Sequence, residues 1–183
     1  MNNKNQKVVG LKRNTVQLLP YQPEWETIFL STKKHLEELI GEYVLDIQHV
    51  GSTSIKSIAA KPIIDIAICV SQIEIIEKII PILESNGYKD RGDVGENGGY
   101  LIVKDTEPEF RTHHIHIVEL HDEQWSNYLY FRDILRENAE LAQRYLQLKK
   151  QLAHEYPQDR KSYTNGIHQF IREILATKQN NTS

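Results

Sequence analysis

Cysteine, methionine and tryptophan are scarce in this chain of 183 residues. It has one cysteine, Cys69, one methionine and two tryptophans. A single cysteine excludes an intrachain disulfide framework and a structural zinc site built from paired thiolates. Long apolar stretches are missing too, because the longest, 63–70, is interrupted by Asp65, so no segment is predicted to span a bilayer. The first ten residues lack the apolar stretch of a signal peptide, and a cytoplasmic protein is expected.

The net charge of −3 conceals an uneven distribution of charge along the chain. Residues 1–13 carry four basic side chains and no acidic one, residues 14–131 carry 9 basic and 19 acidic, and residues 132–183 carry 9 basic and 6 acidic. The charges of the three segments are therefore +4, −10 and +3. An acidic middle segment does not attract a polyanion through its overall field, which argues against nucleic acid as a partner.

The spacing of apolar side chains predicts an α/β or α+β fold, because strands and helices mix before residue 122 and the pattern is helical afterwards. The predicted strands cover 16–19, 44–50, 63–70, 100–103 and 112–120, and another begins at Tyr88. The predicted helices cover 23–41, 72–86, the stretch from 122 to a break at Pro157, and 162–176. We expect a single domain with a flexible basic N-terminus (1–13), an α/β core (14–121) and C-terminal helices (122–178) packed on that core.

A glycine and three hydroxyl side chains follow one predicted strand, in the segment 49–54, which reads His-Val-Gly-Ser-Thr-Ser. A loop without bulky side chains lets backbone N–H groups approach a phosphate, and the hydroxyls add donors. Gly-Ser turns are also common where no ligand binds. The candidate phosphate-binding residues of this loop are His49, Gly51, Ser52, Thr53 and Ser54.

Two further groups have the chemistry of a site. Asp65 lies in an apolar strand, where a carboxylate needs a compensating partner: Lys61, a backbone donor or a divalent metal. The segment 111–116 reads Arg-Thr-His-His-Ile-His, so that His114 and His116 share one face of a strand. Two imidazoles on one face can bind a metal or a phosphate, or act as acid and base. The alternative interpretation is that the two histidines are an exposed pair without a function.

The spacing of these groups resembles the nucleotidyltransferase superfamily, in which a Gly-Ser at the start of a short helix precedes an acidic residue by about a dozen positions. Here Gly51-Ser52 precedes Asp65 in that way. Within this superfamily the chain resembles the GrpB family over most of its length, from about 16 to 174. The resemblance rests on the segments 20–25 (PYQPEW), 49–54 (HVGSTS), 59–66 (AAKPIIDI), 113–116 (HHIH), 131–136 (FRDILR) and 163–164 (YT).

The resemblance implies a nucleotidyltransferase-like mixed sheet flanked by helices, with a C-terminal helical segment. It also implies that the chain binds a nucleotide or a phosphorylated metabolite on the Gly51-Ser52 loop and transfers a nucleotidyl group with Mg²⁺ or Mn²⁺. The candidate catalytic and metal-binding residues are then Asp65, His114 and His116. Lys61 and Arg111 are the candidates for neutralising phosphate charge.

Two departures from the family patterns weaken the catalytic interpretation. Ala67 stands where the superfamily has its second carboxylate, and Ile167 stands where the family has a lysine, four residues after Tyr163. Two-metal catalysis needs several anionic oxygens to balance two divalent ions. A catalytically inactive nucleotide- or metabolite-binding module is therefore an alternative. A histidine-dependent phosphate-ester hydrolase is a further alternative, because the segment 112–116 resembles a degraded histidine-triad motif.

Overall fold

Six strands form one mixed sheet in the computed structural model, which describes residues 8–94 and 99–180. The strands are β1 (Leu11–Lys12), β2 (Asp46–Val50), β3 (Ile64–Val70), β4 (Tyr88–Asp93), β5 (Tyr100–Glu107) and β6 (Phe110–Glu119). Five of them lie in the order β2-β3-β6-β5-β4, and β1 pairs with β6. The pair β3–β6 is parallel and the other pairs are antiparallel. The predicted mixed sheet is thus confirmed.

Five α-helices accompany the sheet in the described part of the chain. They are α1 (Glu24–Ile40), α2 (Ile76–Ser85), α3 (Glu123–Glu137), α4 (Ala139–Glu155) and α5 (Arg160–Asn180). Asp122 begins α3 by accepting a hydrogen bond from the backbone N–H of Gln124, and Asn138 does the same for α4 through the N–H of Leu141. These caps satisfy N–H groups that the first helical turn leaves unpaired. None of the helices described is both long and apolar enough to cross a membrane.

Helices cover both faces of the sheet because the interior strand β3 is apolar on both, apart from Asp65. Ile64, Ile66 and Ile68 pack in one cluster with α1 and α2. Ala67 and Cys69 point to the opposite face, where they pack with Trp125 of α3 and its neighbours. The C-terminal helices α3 to α5 share a further cluster, which also takes in residues from the segment after β2. The helical segment is therefore held against the sheet by apolar packing, and one edge of the sheet faces it.

The prediction of a strand over 16–19 is wrong. Backbone hydrogen bonds of this segment go to loops instead of the sheet: Val16 N–H donates to Pro157 O, and Leu19 forms an isolated bridge with Ala60. The short N-terminal strand is β1, which pairs with β6 and falls within the predicted flexible segment 1–13. Residues 1–7 of that segment lie outside the described residues.

Candidate functional site

The register of three strands brings the first candidate residues together at one edge of the sheet, the edge where β2 ends and β3 begins. Asp65 of β3 lies directly opposite Val50 of β2 on one side and His114 of β6 on the other. Nδ1 of His114 and Oδ1 of Asp65 are 3.1 Å apart and hydrogen-bonded. Because Gly51 follows Val50, the loop begins beside the same carboxylate. The edge therefore joins the Gly-Ser loop, the aspartate and one of the two predicted histidines.

Burial determines the protonation states of the Asp65–His114 pair. Burial lowers the pKa of His114 to about 4, against the opposing effect of the Asp65 carboxylate. Burial raises the pKa of Asp65, but the hydrogen bond from His114 and the charges nearby lower it, and the net shift is downward. Near neutral pH, Asp65 is thus an anion that accepts the Nδ1–H of neutral His114, whose Nε2 keeps a lone pair. With this pKa, His114 is a weak base at neutral pH.

A cavity of about 870 Å³ opens at this edge, between the sheet and the three C-terminal helices. Its wall includes seven Lys or Arg side chains, whereas Asp65 is the only carboxylate among the described residues that line it. The sequence-predicted residues on this wall are Gly51, Ser52, Lys61, Asp65, Arg111, His114 and His116. The seven cations are Arg13, Lys61, Arg91, Arg111, Lys149, Arg160 and Arg172. Such an excess of positive charge favours an anionic ligand.

Three of the predicted loop residues, His49, Thr53 and Ser54, do not line this cavity. They line a smaller one of about 180 Å³ on another side of the loop. Nε2 of His49 is 2.9 Å from Oγ1 of Thr53, and the Ser54 hydroxyl donates to Gly51 O at 2.6 Å. These three side chains hold the backbone of the loop in its turn, and Gly51 and Ser52 are left to face the large cavity.

The sequence offers four basic side chains of the C-terminal helices to a polyanionic ligand, Arg132, Arg136, Lys149 and Lys150, and of these only Lys149 of α4 lines the large cavity. This lysine is 2% exposed, and its Nζ donates to Ala59 O at 2.6 Å and lies 5.2 Å from the centre of the Tyr145 ring. Burial lowers the pKa of Lys149 to about 7, and repulsion from Lys61 adds to the shift. The signal for its burial was present in the sequence, because Lys149 is four residues after Tyr145 and three before Leu152, on the buried stripe of the helix.

Lys149→Met is expected to change the stability of the protein in a pH-dependent way. Lys149 has an ordinary pKa of 10.5 when unfolded and about 7 when folded, so the parent protein gains stability as the pH rises between these values. Methionine removes that dependence. The free energy of unfolding of Lys149→Met relative to the parent should therefore fall by about 2 kcal/mol between pH 7 and pH 9.

Urea unfolding of both proteins across this pH range measures the effect. The loss of the hydrogen bond to Ala59 O changes the free energy of unfolding equally at every pH, so it does not alter the pH dependence. Lys150→Met, at the exposed position next in the helix, is the matched control and should show no such trend. A constant difference between Lys149→Met and the parent would contradict the lowered pKa.

The side chains at this edge do not fit the two-metal site that the nucleotidyltransferase superfamily implies. Ala67, at the position of the second carboxylate, lies opposite His116 in the register and packs in an apolar cluster. The ring centres of His114 and His116 are 6.4 Å apart. Within residues 8–94 and 99–180, no three His, Cys, Asp or Glu side chains lie so that they could hold a metal ion. Asp65, His114 and His116 are neighbours that do not form a three-ligand group in this geometry.

Comparison with known proteins places the chain in a family. The sequence model of the GrpB protein family matches residues 15–177. The chain is 40% identical over 171 residues to the glutamate-rich protein GrpB of Alkalihalophilus pseudofirmus, a match that covers 92% of this chain and 98% of that protein. It is 35% identical to the UPF0157 protein YqkA of Bacillus subtilis, over 87% of this chain and 46% of that protein.

Solved structures give the same result for the fold. The crystal structure of the conserved protein GrpB from Enterococcus faecalis is similar with a TM-score of 0.78 and 35% identity, covering 89% of this chain and 99% of that one. A structure of the Cid1 poly(U) polymerase bound to MgATP is similar with a TM-score of 0.50 and 14% identity. The match covers 74% of this chain and 44% of that one. At that identity the second likeness concerns the fold alone. The chain therefore has a nucleotidyltransferase-like fold, and it belongs to the GrpB family.

Proposed function

We propose that this protein binds a nucleotide or another phosphorylated metabolite in the large cavity, with phosphates on Gly51 and Ser52. The observation that carries the proposal is the charge of the cavity wall, with seven Lys or Arg side chains and one carboxylate among the described residues. A phosphate group offers three strong acceptor oxygens and a charge of about −1.5 to −2, which match ammonium and guanidinium donors. The MgATP-bound Cid1 structure, which is similar in fold, supports a nucleotide as the ligand class.

Lys149, which is buried, and Lys61, which is half-buried, make ligand binding at this site depend on pH. Burial and repulsion from Arg160 lower the pKa of Lys61 to about 8, and Lys149 has a pKa of about 7. Lys149 lies over the ring of Tyr145, whose hydroxyl is 3.4 Å from Ser52 Oγ. A bound phosphate favours the charged form of both lysines, so binding takes up protons and weakens as the pH rises above about 8.

Cations of the protein balance the charge of the ligand in this proposal, and metal ions are not needed for binding. The side chains at the edge fall short of a two-metal site, since Asp65 is one carboxylate where several are needed. Seven Lys and Arg side chains supply positive charge in their place. We therefore expect nucleotide binding in the presence of EDTA.

Group transfer at the same site is a second candidate function, favoured by the hydrogen bond between His114 and Asp65. The carboxylate orients the imidazole, whose Nε2 can accept a proton from an attacking hydroxyl. A bound anion raises the pKa of His114 and makes it a better base. Phosphoryl and nucleotidyl transfer depend mainly on positioning and charge stabilisation, which the cationic wall supplies.

Calorimetric titration with nucleoside triphosphates, with EDTA and with Mg²⁺ or Mn²⁺, tests the proposal. We expect binding in EDTA that raises the melting temperature by mass action, and Lys61→Gln should weaken it on the order of tenfold. Lys150→Gln, on the exposed face of α4, is the control and should bind like the parent. If millimolar nucleotide leaves the melting temperature unchanged, or if binding occurs only with the metal, the proposal is wrong.

A further inference from the structure

We propose that Arg111 and Arg160, with Arg13 beside them, form a separate subsite for a second phosphoryl group in the large cavity. This inference rests on the proposed function, because it shares that cavity, but it concerns different side chains from those around Gly51 and Ser52. The additional ligand group is a phosphate monoester, carried by a second molecule or by the far end of the same one.

Three separate parts of the chain bring these arginines to the wall of the cavity. Arg13 follows β1, Arg111 lies in β6, and Arg160 is the first residue of α5. Leu11 of β1 pairs directly with Arg111, which keeps the first two guanidinium groups close. All three arginines line the cavity.

The three arginines, Arg13, Arg111 and Arg160, form the arginine group. A single carboxylate, that of Asp105, pairs with two of them and also with Lys89. The side chain of Asp105 is 2% exposed and accepts from Nε of Arg111 at 2.6 Å, from Nη2 of Arg13 at 3.3 Å and from Nζ of Lys89 at 3.0 Å. Burial raises the pKa of Asp105, the hydrogen bonds from Arg111 and Lys89 lower it, and the result is a value of about 2. Asp105 thus fixes Arg111 and Arg13 in place, and among the described residues it forms no hydrogen bond or ion pair with Arg160.

Several donors of the arginine group are left without an acceptor in the described part of the chain. Arg111 donates through Nε alone, so its two terminal nitrogens make no hydrogen bond there. The buried Nε of Arg13 also lacks a partner. The side chain of Arg160 makes neither a hydrogen bond nor an ion pair with any described residue. Donors from three guanidinium groups that converge on one cavity match the three acceptor oxygens of a phosphate monoester.

Arg160 lines the same cavity as Arg111 and Arg13 and lies within the electrostatic range of both. Burial lowers the pKa of Arg160, and the charges of Arg111 and Arg13 lower it further, against the opposing effect of Asp65. Like charges held together in a partly buried site destabilise the fold. A bound anion relieves this repulsion, so the group is arranged for a ligand and not for stability.

The arginine group adjoins the lysine pair but extends beyond it. Arg160 repels Lys61, whereas Lys149 is affected by Lys61 and Asp65. A cavity of about 870 Å³ is near the upper end of the range for small-molecule sites, about 300–1,000 Å³. It therefore has room for a nucleotide and a second phosphoryl group.

Titration of the full chain with inorganic phosphate, at constant ionic strength and with sodium chloride as the balancing salt, tests the subsite. We expect Arg160→Gln to weaken phosphate binding on the order of tenfold. Arg160→Lys keeps the charge and loses the planar guanidinium. Its phosphate affinity should lie between those of the parent and Arg160→Gln. Without ligand, Arg160→Gln should melt at the same or a higher temperature, because it removes repulsion and no hydrogen bond. Arg144→Gln, at an exposed position of α4, is the matched control.

Repeating the titration with saturating nucleotide identifies the source of the phosphoryl group. Phosphate that still binds indicates a second molecule, whereas competition together with a loss of nucleotide affinity in Arg160→Gln indicates the far end of the nucleotide itself. Equal phosphate affinity in the parent and Arg160→Gln, or no phosphate binding by the parent, overturns the subsite. Phosphate binding that needs Arg160 in a protein that binds no nucleotide would overturn the proposed function and leave the subsite standing.

Discussion

Gly51→Ala is expected to abolish ligand binding in the large cavity and to lower the free energy of unfolding by about 2–5 kcal/mol. Gly51 has a φ of +64°, and a Cβ at this position would lie 2.5 Å from Oδ2 and 2.8 Å from Cβ of Asp65. The Cβ of Asp65 cannot move away, because its strand is paired with Val50 on one side and His114 on the other. The loop must therefore leave the sheet edge, and Ser52 moves with it.

Gly87→Ala separates the two causes of this effect. Gly87 also has a left-handed conformation, with φ of +81°, but a Cβ there would meet no atom within 4 Å. Its substitution should cost only the conformational penalty, about 1–2 kcal/mol, and should leave nucleotide binding unchanged. Urea unfolding and calorimetric titration of both variants measure the difference. Equal destabilisation of the two would show that the contact with Asp65 is unimportant.

Local pattern could predict the strands β2 to β6 and the antiparallel pairing of β5 with β6, but it could not predict β1 or the pairing of β3 with β6. The apolar segment containing Asp65 predicts a central strand, and alternation places His114 and His116 on one face; both histidines do line the cavity. The parallel pairing of β3 with β6 joins residues about 50 positions apart in the chain. No periodicity within either strand specifies that register, because it depends on how the whole sheet is assembled.

The loop after β2 shows a different limit of prediction from sequence. The segment 49–54 contains the residue types of a phosphate loop, and the sequence predicts one phosphate site from all five candidates in it. Ser52–Ser54 form a short 3₁₀ turn, in which successive side chains point in directions about 120° apart. Thr53 and Ser54 therefore face away from Ser52 and bond within the loop. Residue type alone does not reveal such a division.

Asp65→Asn is expected to separate binding from group transfer. Among the described residues that line the cavity, Asp65 is the only carboxylate, so its charge repels the phosphates of a ligand. Asparagine removes this repulsion, and the affinity for a nucleotide in EDTA should rise several-fold, on the order of tenfold at most. Calorimetric titration measures the change. Glu137→Gln, at an exposed position of α3, removes a carboxylate outside the cavity and should leave the affinity unchanged.

The same substitution should abolish any transfer that His114 assists. The carboxylate holds the pKa of His114 up against burial, so its removal lowers that pKa further and weakens the imidazole as a base. Asparagine can also turn its amide N–H toward Nδ1, which favours the tautomer with hydrogen on Nε2 and leaves no lone pair there. Pyrophosphate release from a nucleoside triphosphate should then fall by about 100-fold or more, the size of a lost general base.

The two measurements on Asp65→Asn together decide between the candidate functions. Tighter nucleotide binding without turnover in either protein indicates a binding module whose aspartate limits affinity. Tighter binding with turnover only in the parent indicates an enzyme in which Asp65 acts through His114. Weaker binding in the variant would mean that the charge of Asp65 supports the ligand mainly by keeping Lys61 and Lys149 protonated, since Asp65 raises the pKa of both lysines. That result would contradict the expected repulsion between Asp65 and the phosphates of the ligand.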